Sequence, residues 1–282
     1  MDSVALALGS AFLFGAMTVT LRYALRRGVT AETTAFLMVL IAFVVAAAAI
    51  PITGAGGLAS CWPFLLAGIV APGLSQVLFA YAVRDAGPAR ASVAVGMAPL
   101  VSVAIALTLL DEPAKTLVLL GAVASVLGGI VLALEGSRPA HVRALGLVFA
   151  FGTMVLFATR DSLIRRLSID TDIEPAVAAA ATLGSGALVI LLSLLATRRP
   201  VSLRPLVAVA PTGLTYGLSY VLLFEAFYRG RVSVVSPLIA TESLWTVALS
   251  LVFLRRHEHV GPRLLGGAAL VVLGGALIGV FR

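Results

Sequence analysis

Apolar runs of bilayer length recur ten times along this chain, and that recurrence leaves it very few folds. A helix crossing the hydrocarbon core needs roughly 20 mostly apolar residues. The runs lie at about 3–21, 34–52, 62–83, 90–110, 116–134, 144–159, 175–196, 205–228, 232–254 and 262–281. In lipid an α-helix satisfies its backbone hydrogen bonds within one segment. The runs therefore predict an all-α integral membrane protein of ten transmembrane helices. Charge agrees: 12% of the 282 residues are Asp, Glu, Lys or Arg, against about 25% in an average soluble domain. So few charges cannot clothe a globular surface, and no stretch remains for a soluble domain.

The formal net charge is +7, which in a soluble chain would suggest nucleic acid. Here the basic residues cluster in short junctions between apolar runs, as membrane topology requires, and no nucleic-acid partner is expected. Cys61 is the single cysteine, so an intramolecular disulfide and a Cys-based metal cluster are excluded. The chain opens Met-Asp-Ser and passes straight into an apolar run. It has no basic n-region or small-residue cleavage signal, and the first run is expected to be a retained helix.

The chain repeats itself. Leu8 to Met17 lies over Leu145 to Met154 with six identities in ten positions. Gly73-Leu74-Ser75 lies over Gly217-Leu218-Ser219, Arg90-Ala-Ser92 over Arg231-Val-Ser233, and Gly121 with Gly128-Gly129 over Gly267 with Gly274-Gly275. The matches keep their order, so the chain divides into repeats of five spans, 1–136 and 137–282, joined at Glu135 to Arg143. Five is odd, so the second repeat sits inverted in the membrane. Inverted repeats around a central site are a transporter architecture.

Ten spans in a five-plus-five repeat resemble the drug/metabolite transporter superfamily, in its EamA-domain branch. Ala98-Pro99 in the fourth span, the Asp-Glu-Pro turn at 111–113 and the small-residue fifth and tenth helices, Gly121 to Gly136 and Gly266 to Gly279, resemble it too. Two features depart from the pattern. Glu242 stands roughly where the fourth span has Pro99, and Arg255-Arg256-His257 lengthens the turn before Glu258. The resemblance implies a carrier in the cell inner membrane, typically exporting small metabolites by ion or substrate exchange. It also implies cytoplasmic termini, whereas charge counting gives the opposite sense. Lys115, Arg160, Arg165, Arg166, Arg229, Arg231 and Arg282 share the N-terminal side and the other thirteen basic residues lie opposite, which by the positive-inside rule puts both termini outside.

Glu242 heads the candidate site. It falls near the midpoint of the ninth span, where inserting an ionisable group costs about 3 kcal/mol or more. Either it binds a proton or a substrate amine in alternation, or it is a buried carboxyl that pins helices together. Gln76 and Tyr220 are related by an offset of 144 between halves, and Tyr216 precedes Tyr220 by one turn. These groups either orient substrate near mid-depth or hydrogen-bond between helices. Tyr81 occupies the place of Glu225 under the same offset. Glu225 is a second acid of the cavity or an interfacial partner of Arg229 or Arg231.

Trp245, three residues after Glu242, is expected on its face, to stack on a ring or ammonium group or to meet lipid or a neighbouring helix. Met97 and Pro99, with Pro237 on the ninth span, can open a helix as a gate or a fixed kink. Phe14, Met17, Phe151 and Met154 wall a cavity or simply pack.

Small-xxx-small spacings such as Ser125 to Gly129 and Gly275 to Gly279 suit close helix packing or a homodimer. Arg255-Arg256-His257-Glu258-His259 reads as an interfacial cluster, with no metal expected. No catalytic constellation and no cofactor motif is present in the sequence. The expectation is therefore alternating-access export of an amino acid, related amine or amphipathic metabolite, as monomer or homodimer, coupled to a proton or to substrate antiport. Its cavity would form from spans three, four, eight and nine, with spans one and six. The alternative is a flippase for a lipid or lipid-linked sugar, with Arg84, Arg90, Arg229 and Arg231 holding the phosphate.

Overall fold

The computed structural model describes residues 2–98, 101, 116–133, 144–169, 171–230, 232–254 and 261–281. Among these every regular element is helical. In chain order they are α1 (Ser3–Arg26), α2 (Ala31–Thr53), α3 (Trp62–Gly68), α4 (Ser75–Ala86), α5 (Pro88–Val95), α6 (Thr116–Ala133), α7 (Ala144–Leu167), α8 (Pro175–Ala196), α9 (Leu206–Arg229), α10 (Val232–Ala240), α11 (Glu242–Phe253) and α12 (Pro262–Phe281). Pro99, the Asp111-Glu112-Pro113 turn, the segment 135–143, Arg231 and Arg255 to His259 lie outside the described residues.

Six helical segments are long and apolar enough to cross a membrane: Ser3–Arg26, Ala31–Ile52, Trp62–Ala86, Ala144–Leu167, Pro175–Ala196 and Leu206–Arg229. Of the other expected spans, the fifth and tenth are the helices α6 and α12, the ninth is divided into α10 and α11, and most of the fourth lies outside the described residues. The seventh and tenth expected spans match α8 and α12 to the residue.

Local chemistry sets the ends. Thr30 caps α2, its Oγ1 accepting the Thr33 amide at 3.3 Å, as N-caps do. Pro175 opens α8 and Pro88 opens α5, where the missing N–H costs nothing. Gly87, at φ 88°, turns the chain between α4 and α5. Arg22, inside α1, donates from Nη1 to the carbonyls of Val83 (3.1 Å) and Arg84 (2.7 Å) at the end of α4. Arg165, inside α7, does the same to Phe227 near the end of α9, at 3.1 Å. The carbonyls of Arg84 and Phe227 are among those that a helix C-terminus leaves without intrahelical partners; that of Val83 also accepts the Gly87 amide, at 3.2 Å.

Packing is reciprocal between the halves. α1 lies along α9, and α7 along α4; α2 meets α8 and α9, and α8 meets α3; α6 lies along α12. Small residues allow the closest approaches. A Cβ on Gly15 would come within 2.7 Å of Trp245 Cβ, and one on Gly128 within 2.8 Å of the Gly267 carbonyl. Between α6 and α12 the small-residue surface is thus used within the chain.

Three expectations are corrected. The third span is not one α-helix, because Ile69–Leu74 is a wider turn with extended φ/ψ at Ala71, before Pro72, which has no N–H to donate. The ninth span is broken at Thr241 into α10 and α11, so Glu242 begins a helix instead of standing inside one. The sixth span does not end at 159. It runs on to Leu167, and Arg160 and Asp161 are buried helical residues instead of loop charges. Arg22 and Arg90 are buried as well, so three of the twenty basic residues say nothing about orientation.

Candidate functional site

The fourth and ninth spans are interrupted at facing places. α5 ends at Val95 and a turn follows at Gly96 and Met97, while α10 gives way to α11 at Thr241. There the Thr241 N–H goes to the Leu238 carbonyl at 3.2 Å, and the Thr241 hydroxyl donates to the same carbonyl at 2.6 Å. The breaks approach closely, since a Cβ on Gly96 would lie 3.3 Å from Ser243 Oγ. Between them is a cavity of about 20 Å³, room for about one water. Val95, Gly96 and Ala98 line it from one break, and Ser236, Ile239, Ala240 and Glu242 from the other. Phe14 of α1 and Phe157, Arg160 and Asp161 of α7 complete the lining. Discontinuous helices around a central polar site are how membrane carriers bring backbone and charge together at depth.

Glu242 is 7% exposed, and among the described residues its carboxylate has no hydrogen-bond or ion-pair partner. Its position in the first turn of α11 favours negative charge by about 0.3–1 kcal/mol through the helix dipole. Arg160, 2% exposed, donates from Nε to Oδ1 of Asp161 at 2.9 Å, and its Nη2 lies 2.8 Å from the same oxygen in an ion pair. The guanidinium also lies over Phe157, 4.5 Å from the ring centroid, and 5.5 Å and 5.9 Å from those of Tyr220 and Phe14. Arg160 and Asp161 neutralise one another, so Glu242 is the remaining ionisable group of this lining.

The other expected residues are distributed differently. Gln76 Nε2 donates to Tyr216 Oη at 2.7 Å, the Tyr216 and Tyr220 rings lie 5.0 Å apart, and the Tyr220 hydroxyl donates to the Ala71 carbonyl at 3.4 Å. These three residues form a layer behind the lining and meet it at Phe14, 6.0 Å from Tyr216 and 6.4 Å from Tyr220, and at Arg160, whose guanidinium faces the Tyr220 ring. Spans three and eight thus back the cavity instead of lining it. Met97 is buried between Gly96 and Ala98.

Trp245 does not share the face of Glu242. It is 40% exposed and packs edge-on against Phe12, with centroids 5.3 Å apart. Tyr81 is elsewhere too, donating to Glu32, which is ion-paired with Arg199. Glu225 pairs with Arg229, N···O 2.5 Å. Of the arginines that would hold a lipid phosphate, Arg84 is engaged by both carboxylate oxygens of Asp85, at 2.7 Å and 2.8 Å, Arg229 is held by Glu225, and Arg90 is buried.

Sequence reasoning missed Arg160 and Asp161. Their signal was available: apolar residues continue at the helical period through Leu163, Ile164 and Leu167, which carries the sixth helix past the two charges.

A bundle of bilayer-length apolar helices, interrupted where a buried charged cluster sits, defines a multi-pass membrane protein of the transporter class. The profile of the EamA-like transporter family matches residues 2–134 and 144–280, and the chain belongs to that family, within the drug/metabolite transporter superfamily. A solved crystal structure, one of 24 matching chains, aligns with a TM-score of 0.71 over 98% of this chain and 95% of its own, at 19% identity. At that identity the likeness concerns the fold. No curated protein matches the chain.

Proposed function

We propose that the protein is a secondary carrier of the cell inner membrane. It exports a small ammonium-bearing metabolite, an amino acid or related amine, by alternating access between inverted repeats. Glu242 takes a proton or the ammonium group in turn, so that cargo and proton move in opposite directions. The observation that carries this reading is the buried carboxylate of Glu242, at a helix break and in a cavity whose other two charges neutralise each other. An intramembrane carboxylate without a committed partner is costly to insert and marks an ion or substrate path. The small volume of the cavity suits a closed conformation, which substrate enters only after α5 and α10–α11 part. Phe14 and Phe157 supply the apolar walls.

The test uses proteoliposomes with an acidic lumen and a panel of labelled amino acids and amines, with uptake by protein-free vesicles subtracted because free amines accumulate in an acidic lumen unaided. Wild type accumulates one or more of them as the gradient discharges, and Glu242→Gln does not. Gradient-driven uptake by Glu242→Gln equal to wild type would sink the proposal. Lipid movement without any soluble uptake would put the flippase in its place.

A further inference from the structure

We propose that Arg160 recognises a carboxylate, so that the cargo is a zwitterion held at two points: its carboxylate on Arg160 Nη1 and its ammonium on Glu242. This rests on the reading of Glu242 as the ammonium site and narrows the substrate class. The donor fork of Arg160, Nε and Nη2, is spent on a single oxygen of Asp161. Nη1 is buried and has no hydrogen-bond partner among the described residues. A pair present only to hold helices together gains nothing from a buried guanidinium nitrogen without an acceptor, since buried donors are nearly always satisfied.

The plane of the group is fixed as well. Asp161 holds one edge, and the Phe157, Tyr220 and Phe14 rings surround it at 4.5–5.9 Å, so Nη1 keeps its orientation while cargo comes and goes. Arg160 and Glu242 line the same cavity from α7 and α11. A simple amine would satisfy Glu242 and leave Nη1 bare. A simple carboxylic acid would satisfy Nη1 and set its own charge against Glu242. A molecule with both groups close together satisfies both residues, and Arg is well suited to the carboxylate end. Asp161 then acts as a positioning residue.

The experiment compares three compounds of one carbon skeleton by calorimetric titration of the purified full-length chain: an α-amino acid, the amine lacking its carboxylate, and the acid lacking its amine. Leucine, isopentylamine and 4-methylpentanoate form one such set, and the alanine and phenylalanine sets are run beside it. Wild type is expected to bind at least one amino acid about tenfold or more tightly than its amine, the scale of a hydrogen bond to a charged group. Arg160→Gln/Asp161→Asn removes both charges at nearly constant volume and is expected to bind amino acid and amine alike. Arg160→Lys keeps the charge without the fork and is expected to lose most of the preference. Equal binding of amine and amino acid by wild type, or an unchanged preference in both variants, overturns the role of Arg160 and leaves Glu242 as the ammonium site. Failure of every amine and amino acid to bind wild type overturns both readings.

Discussion

The Arg160–Asp161 pair sits in a helix with both side chains buried, and its removal has a computable cost. Asp161→Ala leaves a guanidinium in the interior without its counter-ion and with its hydrogen bond to Asp161 lost, a change that costs about 3–5 kcal/mol. A chain of this size loses about 2 °C in Tm per kcal/mol, so Asp161→Ala should unfold about 6–10 °C below wild type. Arg160→Gln/Asp161→Asn takes both charges away and leaves amide groups that can bond each other. Because a buried pair repays little more than its own desolvation, the double variant should lose less than about 4 °C. The assay is thermal unfolding in detergent, followed by the fluorescence of Trp62 and Trp245. Two independent contributions would place the double variant at or below Asp161→Ala. That ordering would refute the argument that the charges are buried as a mutually neutralising pair.

Four further outcomes follow from the packing and the polar contacts. Gly15→Ala would set a Cβ 2.7 Å from Trp245 Cβ and 3.0 Å from the Thr246 nitrogen; the strain of parting α1 and α11 is about 1–3 kcal/mol, read as a lower Tm. Gly266→Ala meets nothing within 4 Å and lies inside α12, so better helix propensity should leave unfolding free energy unchanged or raise it by up to about 1 kcal/mol. Tyr216→Phe removes the acceptor of the buried Gln76 amide and should cost about 1–3 kcal/mol in unfolding free energy, with Gln76→Leu/Tyr216→Phe costing less than the sum of its parts. Arg199→Ala breaks an ion pair whose basic partner is half exposed and should change unfolding free energy by less than about 1 kcal/mol.

Most of the scaffold was legible because lipid imposes one rule on every spanning segment. The runs at 175–196 and 262–281 reappear as α8 and α12 with the same ends, since Pro175, the Thr197–Pro200 junction and Pro262 punctuate them unambiguously. The interruptions were less legible. Pro72 was visible in the sequence, but its effect on the third span depends on Tyr220, whose hydroxyl takes up the Ala71 carbonyl from another helix. The break at Thr241 has no glycine or proline beside it. Glu242 was found from its charge alone, because a carboxylate in an apolar run has few bland explanations. Arg160 and Asp161 read in sequence as the start of a loop, as adjacent opposite charges usually do. Only tertiary packing against Phe14, Phe157 and Tyr220 makes them interior. Trp245 went the other way: three residues from Glu242 is near enough in angle to suggest one face, but Glu242 points to the cavity at the helix start while Trp245 packs against Phe12 on the outside.

The central claim is that proton and cargo take turns on Glu242. It is tested most directly in proteoliposomes that enclose a pH-sensitive dye and carry no imposed gradient. Adding a transported amino acid outside should make the lumen of wild-type vesicles more alkaline, as protons leave in exchange for entering cargo. Vesicles carrying Glu242→Gln should show no pH change, whether or not cargo still moves. The same alkalinisation per molecule of cargo in Glu242→Gln would contradict the account, since the proton would then travel by a route that does not include this carboxylate.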